Sequence, residues 1–257
     1  MYLTFEISID SIQSAINAER AGAQRVELCA GLSEGGTTPS IGMIKMVRKY
    51  TKLQMFVIIR PRGGDFLYSD REFDVMCNDI LEAKKNGADG IVSGALTADG
   101  EIDIEKTKKM VELTYPLPFT FHRAFDMCKN PHEALEQLIN IKVSRILTSG
   151  QKQSAELGIE LLTEIIKLAD ERITIMPGAG INENNIISLI KKTKATEYHF
   201  SGKKLFPSKM IYINNNISMG GTKNIDEYSI MISDYDTIST VINKGNSYLQ
   251  KKNDTNM

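Results

Sequence analysis

Short apolar runs recur along the chain, each followed by a longer stretch with apolar positions at helical spacing. Apolar runs of about four to eight residues bounded by turn residues read as buried strands. Eight are present: Leu3–Ser8, Arg25–Cys29, Met55–Arg60, Asp89–Ser93, Leu117–His122, Arg145–Thr148, Ile173–Met176 and Glu197–Ser201. The stretches between them predict helices over 11–21, 40–50, 70–86, 103–113, 131–139, 154–169 and 183–192, and a last helix over 235–249. Local stop and start signals agree. Ser11 or Asp10, Ser40 and Ser69 can cap helix N-termini, Pro131 suits a first helical turn, and Gly22 and Gly87 suit helix ends.

Strands that alternate with helices pair in parallel through right-handed crossovers. Eight such units in about 250 residues match a (β/α)8 TIM barrel. The competing architecture is a doubly wound open sheet. No Gly-x-Gly-x-x-Gly follows the first strand, where a dinucleotide-binding fold would carry it. The pattern predicts one domain over residues 1–250 and a polar, frayed C-terminal tail over 251–257. Residues 203–233 form an irregular excursion before the last helix, suited to covering the barrel mouth or a subunit interface.

Composition narrows the functional classes. The 257 residues carry a net charge of −1, with three cysteines and three histidines. A near-neutral chain lacks the basic field that nucleic acid or anionic lipid requires. There is no apolar run long enough to span a membrane and no secretory leader pattern. Three cysteines with no Cys-x-x-Cys pair argue against a disulfide framework and against the usual structural zinc patterns. These features predict a soluble cytoplasmic protein. The twelve methionines are scattered and read as core filler.

In a barrel the chemistry sits at the C-terminal ends of the strands. Nearly every predicted strand ends in polar or glycine-rich sequence. Ile58-Ile-Arg-Pro-Arg-Gly-Gly-Asp65 and Thr120-Phe-His-Arg-Ala-Phe-Asp126 each turn from apolar to charged within a few residues. Alternation along a strand puts Glu6 with Ser8 on one face and Glu27 with Cys29 on one face. If that face points inward, the two carboxylates either pair with Arg60 or Arg62 in a polar core or act as acid–base groups. His122 and His199 are candidate proton shuttles or metal ligands, with Asp126 beside them as a third acid–base candidate. Arg60, Arg62 and Arg123 suit bidentate capture of carboxylate or phosphate, unless Asp65 and Asp126 neutralise them. Ser149 ends the sixth strand. Gly178 and Gly180 after the seventh, and Ser201 and Gly202 after the eighth, lie where many barrels hold phosphate on backbone N–H groups. Cys29 is the one thiol on a strand ending and could offer a thiolate to Cu(I). Cys77 falls mid-helix, Cys128 in a loop, and His132 in a first helical turn, where each reads as structural.

The segments Arg25-Val-Glu-Leu-Cys29, Gly35-Gly-Thr-Thr-Pro-Ser40, Ile59-Arg-Pro-Arg-Gly-Gly-Asp-Phe66, Asp89-Gly-Ile-Val-Ser-Gly94, Thr120-Phe-His-Arg-Ala-Phe-Asp126, Ile146-Leu-Thr-Ser-Gly150 and Met176-Pro-Gly-Ala-Gly180 together resemble the CutC copper-homeostasis family. The resemblance runs in order from about residue 3 to about residue 240. It implies a TIM barrel, a cytoplasmic location, self-association as a dimer or larger homo-oligomer, and a role in binding or trafficking copper as Cu(I). The chain departs from the family pattern on its first strand. Where the family commonly carries Glu-Val-Cys, this chain has Glu6-Ile7-Ser8. A hydroxyl is a poor ligand for Cu(I), so Cys29 stands alone.

Two functions follow from these observations. The resemblance implies a copper-homeostasis protein with Cys29 as its metal ligand. The inventory of strand endings instead suits a barrel enzyme that works by acid–base chemistry on a small anionic, possibly phosphorylated, metabolite. A barrel whose rim does no chemistry is the plain alternative to both.

Overall fold

Every predicted strand forms in the computed structural model, which describes residues 3–214, 216–217 and 226–255. The strands are β1 (Thr4–Ile9), β2 (Arg25–Leu28), β3 (Gln54–Ile58), β4 (Gly90–Ser93), β5 (Phe119–Phe121), β6 (Arg145–Thr148), β7 (Thr174–Pro177) and β8 (Glu197–Phe200). They form one parallel sheet in the order β7-β6-β5-β4-β3-β2-β1-β8. A single bridge between Gly178 and His199 joins β7 to β8, so the sheet closes as a TIM barrel.

The helices are α1 (Ile12–Arg20), α2 (Ile41–Tyr50), α3 (Asp70–Lys85), α4 (Ile104–Thr114), α5 (Pro131–Asn140), α6 (Ile159–Ala169), α7 (Ile186–Thr193) and α8 (Tyr235–Thr255). Ser11, Ser40 and Ser69 accept backbone N–H groups at the starts of α1, α2 and α3, and Glu72 completes a capping box with Ser69. Two helices start later than their apolar pattern predicts. Ahead of α6, residues 154–158 form turns tied to the barrel: Ala155 N–H donates to Ala179 O, and Gly158 packs on the backbone of Ser149 and Gly150. Ahead of α7, Asn182 N–H donates to Asn185 Oδ1, and Asn185 Nδ2 donates to Gly180 O. Asparagine side chains here compete with the first helical turn for the backbone.

The excursion from 203 to 233 leaves the barrel and returns as an antiparallel pair, β9 (Lys203–Pro207) and β10 (Ser229–Ser233). Residues 215 and 218–225 of that excursion lie outside the described residues. The backbone of α8 continues through most of the segment from Lys251 that the sequence pattern set apart as a tail. Residues 256 and 257 lie outside the described residues.

Side-chain alternation sorts the barrel into two apolar regions. Phe5, Ile7, Val26, Leu28, Met55, Val57 and Ile91 face the surrounding helices in the main core. Cys29, Phe56, Ile58 and Val92 form a smaller cluster inside the barrel. The rest of the described interior is strongly polar: Glu6, Arg25, Glu27, Arg145 and His199 are all buried. Buried charge is costly unless it is paired, so the pairing of these groups determines what the interior can do.

Candidate functional site

Register brings the interior groups together. Glu6 on β1 stands opposite Arg25 on β2 and His199 on β8, and Ser8 stands opposite Glu27. Towards the N-terminal end of the barrel, Glu197 pairs with both Arg25 and Arg145. Arg25 also pairs with Glu6. Two arginines and two glutamates therefore balance in this lower layer. Above it, His199 Nδ1 lies 2.8 Å from Glu6 Oε1, and His199 Nε2 lies 3.7 Å from Glu27 Oε2. Glu27 Oε2 accepts from Ser8 Oγ at 3.2 Å and from Cys29 Sγ at 3.4 Å. The result is a continuous chain from Glu197 through Arg25, Glu6, His199 and Glu27 to the thiol of Cys29.

The environment separates the protonation behaviour of these groups. Burial alone would raise the Glu6 carboxyl, but Arg25 and the bond from His199 hold it at about 2. Burial dominates at Glu27 and raises it. At His199 burial works against charge, yet the facing carboxylates of Glu27 and Glu6 raise the imidazole. Burial and the Glu27 carboxylate push the Cys29 thiol well above its ordinary value. Glu6 is thus a fixed anion. Glu27 and His199 are the pair between which a proton can move, and Cys29 holds its proton at neutral pH.

The other predicted groups are spread over separate contacts. The glutamates pair with Arg25 and His199, not with Arg60 or Arg62. Arg60 donates to the carbonyls of Glu34, Gly36 and Gly64 at 2.7–2.9 Å. Arg62 is partly exposed and is neutralised by Glu72 at 2.6 Å and Asp65 at 3.1 Å, where it ties down the loop before α3. Asp126 accepts from Thr148 Oγ1, from the N–H groups of Ser149 and Gln151, and from Arg123. Arg123 also reaches Ser149 Oγ at 3.0 Å. This cluster ties Asp126 to the loop after β6. His122 is buried under Phe66, apart from His199.

The glycines also have structural reasons. A Cβ on Gly178 would meet Leu147 Cδ1 at 2.5 Å, and one on Gly202 would meet Ile238 Cγ1 at 2.7 Å. Gly180 adopts φ +73°, in the left-handed region, and its carbonyl receives Asn182 and Asn185. Ser201 is half-buried at the end of β8. Arg25, Arg145 and Glu197 are site residues that the strand-ending search passed over, because they sit at strand starts. Alternation held the signal: Arg25, Glu27 and Cys29 share one face, as do Glu197, His199 and Ser201.

Comparison with known proteins decides the family. The CutC family model matches residues 3–204. The chain belongs to the CutC family. It is 48% identical over 236 residues to the human copper homeostasis protein cutC homolog, covering 92% of this chain and 86% of that protein. It is 52% identical to a CutC family protein of Bacteroides fragilis over 225 residues, 87% of this chain and 90% of the relative. Among solved structures it is similar to a copper homeostasis protein CutC of Streptococcus agalactiae, at TM-score 0.74 and 32% identity, over 77% of this chain and 98% of the other. Copper homeostasis is the role that the human and Streptococcus agalactiae relatives carry in their names.

The interior of this CutC barrel is a poor preformed cage for copper. Among the described residues no group of three or more His, Cys, Asp or Glu side chains is arranged to hold a metal ion. Cys29 is the only cysteine of the interior cluster, and its sulfur lies 3.4 Å from Glu27 Oε2 and 3.8 Å from the Ser8 hydroxyl, with no second sulfur there. Among the described residues no helix is long and apolar enough to cross a membrane.

Proposed function

We propose that this CutC protein takes part in copper homeostasis as a transient, one-sulfur acceptor of Cu(I), with Cys29 as the ligand and Glu27–His199 as its proton outlet. The observation that carries this reading is the 3.4 Å contact between Cys29 Sγ and a Glu27 carboxyl that also faces His199. A metal binds the thiolate, so Cys29 must lose its proton as copper arrives. Glu27 accepts that proton, and His199 passes it towards solvent. One proton leaves as one Cu(I) enters, so the buried site keeps its total charge. That balance matters because an added uncompensated charge inside the barrel would be expensive.

A single thiolate cannot saturate Cu(I), which favours soft sulfur ligands. The second ligand in this reading comes from outside the chain, and the bound state is short-lived. The reading supports handover rather than storage. In this reading the protein works in the cytoplasm, where thiols stay reduced, as a homo-oligomer. Competition titration of Cu(I) against a chromogenic chelator tests it. Wild type should bind weakly, one ion per chain, and Cys29→Ser should abolish that binding. Tight binding that survives Cys29→Ser would refute it.

The second reading, acid–base catalysis on a small anionic metabolite, draws support from one observation. Arg60 is a buried cation that pairs with no carboxylate among the described residues.

A further inference from the structure

Three polar atoms near the C-terminal ends of β3 and β5 are buried without a hydrogen-bond partner: Arg60 Nε, Tyr68 Oη and His122 Nε2. Their residues are 4%, 3% and 4% exposed. Buried polar groups in native proteins are nearly always satisfied, so three orphans in one neighbourhood call for a cause. All three border the loop that carries Phe66. The Phe66 ring centre lies 5.1 Å from Arg60 Cζ and 4.8 Å from the His122 ring centre. Tyr68 follows two residues later, with its hydroxyl close to the Arg60 guanidinium but outside hydrogen-bond geometry.

Arg60 Nε and His122 Nε2 are donors, and Tyr68 Oη can donate. Arg60 can only donate, and its NH1 and NH2 groups are already committed to backbone carbonyls, which leaves Nε. His122 Nδ1 accepts the Ala124 N–H at 3.3 Å, which assigns the ring proton to Nε2. Burial and the nearby Arg60 push His122 down to about 3, so the ring is neutral at pH 7 with Nε2–H as donor. Burial pushes the Tyr68 hydroxyl up to about 12, so it keeps its proton. Three donors, one of them on a cation with no carboxylate partner among the described residues, match the needs of an anionic oxygen group.

We propose that Arg60 Nε, Tyr68 Oη and His122 Nε2 form a binding site for the carboxylate or phosphoryl group of a small metabolite, and that the Phe66 ring is its cover. Ligand entry swings the Phe66 side chain aside. The backbone stays, because Leu96 N–H holds the Phe66 carbonyl at 2.9 Å. The site is independent of Cys29, so loss of copper binding in Cys29→Ser leaves it untouched.

NMR titration of the full chain with inorganic phosphate, and in a parallel arm with acetate, tests the site through the His122 Nε2–H resonance. Saturable binding of either probe supports it, and the arm that saturates identifies the chemistry of the metabolite. Phe66→Ala removes the cover and should tighten binding several-fold. Tyr68→Phe removes one donor without changing shape and should weaken binding about tenfold. His122→Asn keeps an acceptor for Ala124 N–H, removes the Nε2 donor, and should weaken binding by a similar factor. Wild type and Phe66→Ala that both fail to bind either anion up to about 50 mM would overturn the proposal, since even weak fragment binding falls in that range. Equal affinity in wild type and Tyr68→Phe would overturn it as well.

Discussion

Glu6 Oε1 and His199 Nδ1 meet at 2.8 Å across neighbouring strands β1 and β8, in a row set by sheet register. The contact lies beside the seam where the barrel closes, where β8 is joined to β7 by the Gly178–His199 bridge among the described residues. It also fixes the imidazole so that Nε2 faces Glu27. One hydrogen bond therefore supports both barrel closure and the proton path to Cys29.

Glu6→Gln removes the fixed anion that Arg25 and His199 share. Breaking one partner out of a buried charge network leaves the others uncompensated, a loss of about 3–5 kcal/mol. Urea denaturation should show a drop of that size. A loss below about 1 kcal/mol, as for a surface ion pair, would mean that the network does not hold the barrel.

His122 gives stability a definite pH dependence. An unfolded histidine protonates near 6.5, whereas buried His122 resists protonation to about 3. Between those values the unfolded state binds more protons. The contribution of His122 is therefore complete above pH 6.5 and is lost as pH falls towards 3, about 5 kcal/mol. Glu6 adds a lower window, from 4.5 down to about 2. His199 runs the other way: its stabilisation is present below 6.5 and is lost as pH rises through its raised folded value. His122→Asn should flatten the stability curve between pH 6.5 and 3 while sharing the other two windows with wild type. Identical slopes in the two proteins would contradict a neutral buried His122.

Gly178→Ala separates packing from anion binding at the end of β7. The added Cβ would press on Leu147 at 2.5 Å and on His199 at 3.4 Å. Overpacking of this kind costs about 1–3 kcal/mol. Thermal unfolding should show the loss with or without phosphate present. If phosphate restores the variant to wild-type stability, the glycine turn is itself an anion site.

Ser8→Cys should add a second sulfur ligand beside Cys29. Ser8 Oγ and Cys29 Sγ are 3.8 Å apart on adjacent strands, so the variant offers two sulfurs to one ion. Under reducing conditions its affinity for Cu(I) should exceed wild type by at least about a hundredfold, as soft ligands replace a hydroxyl. Equal affinities would place copper away from Cys29.

The eight strands and their helices were legible because each carries its own local signal: apolar runs, and caps such as Ser11, Ser40 and Ser69. The late starts of α6 and α7 were not, because contacts from Ala155 to Ala179 and from Asn185 to Gly180 override helical periodicity there. Glu6, Glu27, His199 and Cys29 were legible as candidates, since charge on an apolar strand demands a reason. Their partners were not. Arg25, Arg145 and Glu197 enter at strand starts, and only register across β8, β1 and β2 shows that they neutralise the lower interior. Phe66 and Tyr68 carried no signal of their own; only the fold brings them against the Arg60 guanidinium and the His122 ring.

Proton-coupled capture of Cu(I) by Cys29 is tested most directly by measuring Cu(I) affinity by chelator competition at pH 6, 7 and 8, in wild type, Cys29→Ser and Glu27→Gln. Release of one proton per copper requires affinity to rise about tenfold per pH unit while the thiol stays protonated. Wild type should follow that slope, Cys29→Ser should show no binding, and Glu27→Gln, followed by stopped flow, should take up copper more slowly at every pH. Affinity that is flat across the three pH values, or unchanged in Cys29→Ser, would contradict the account.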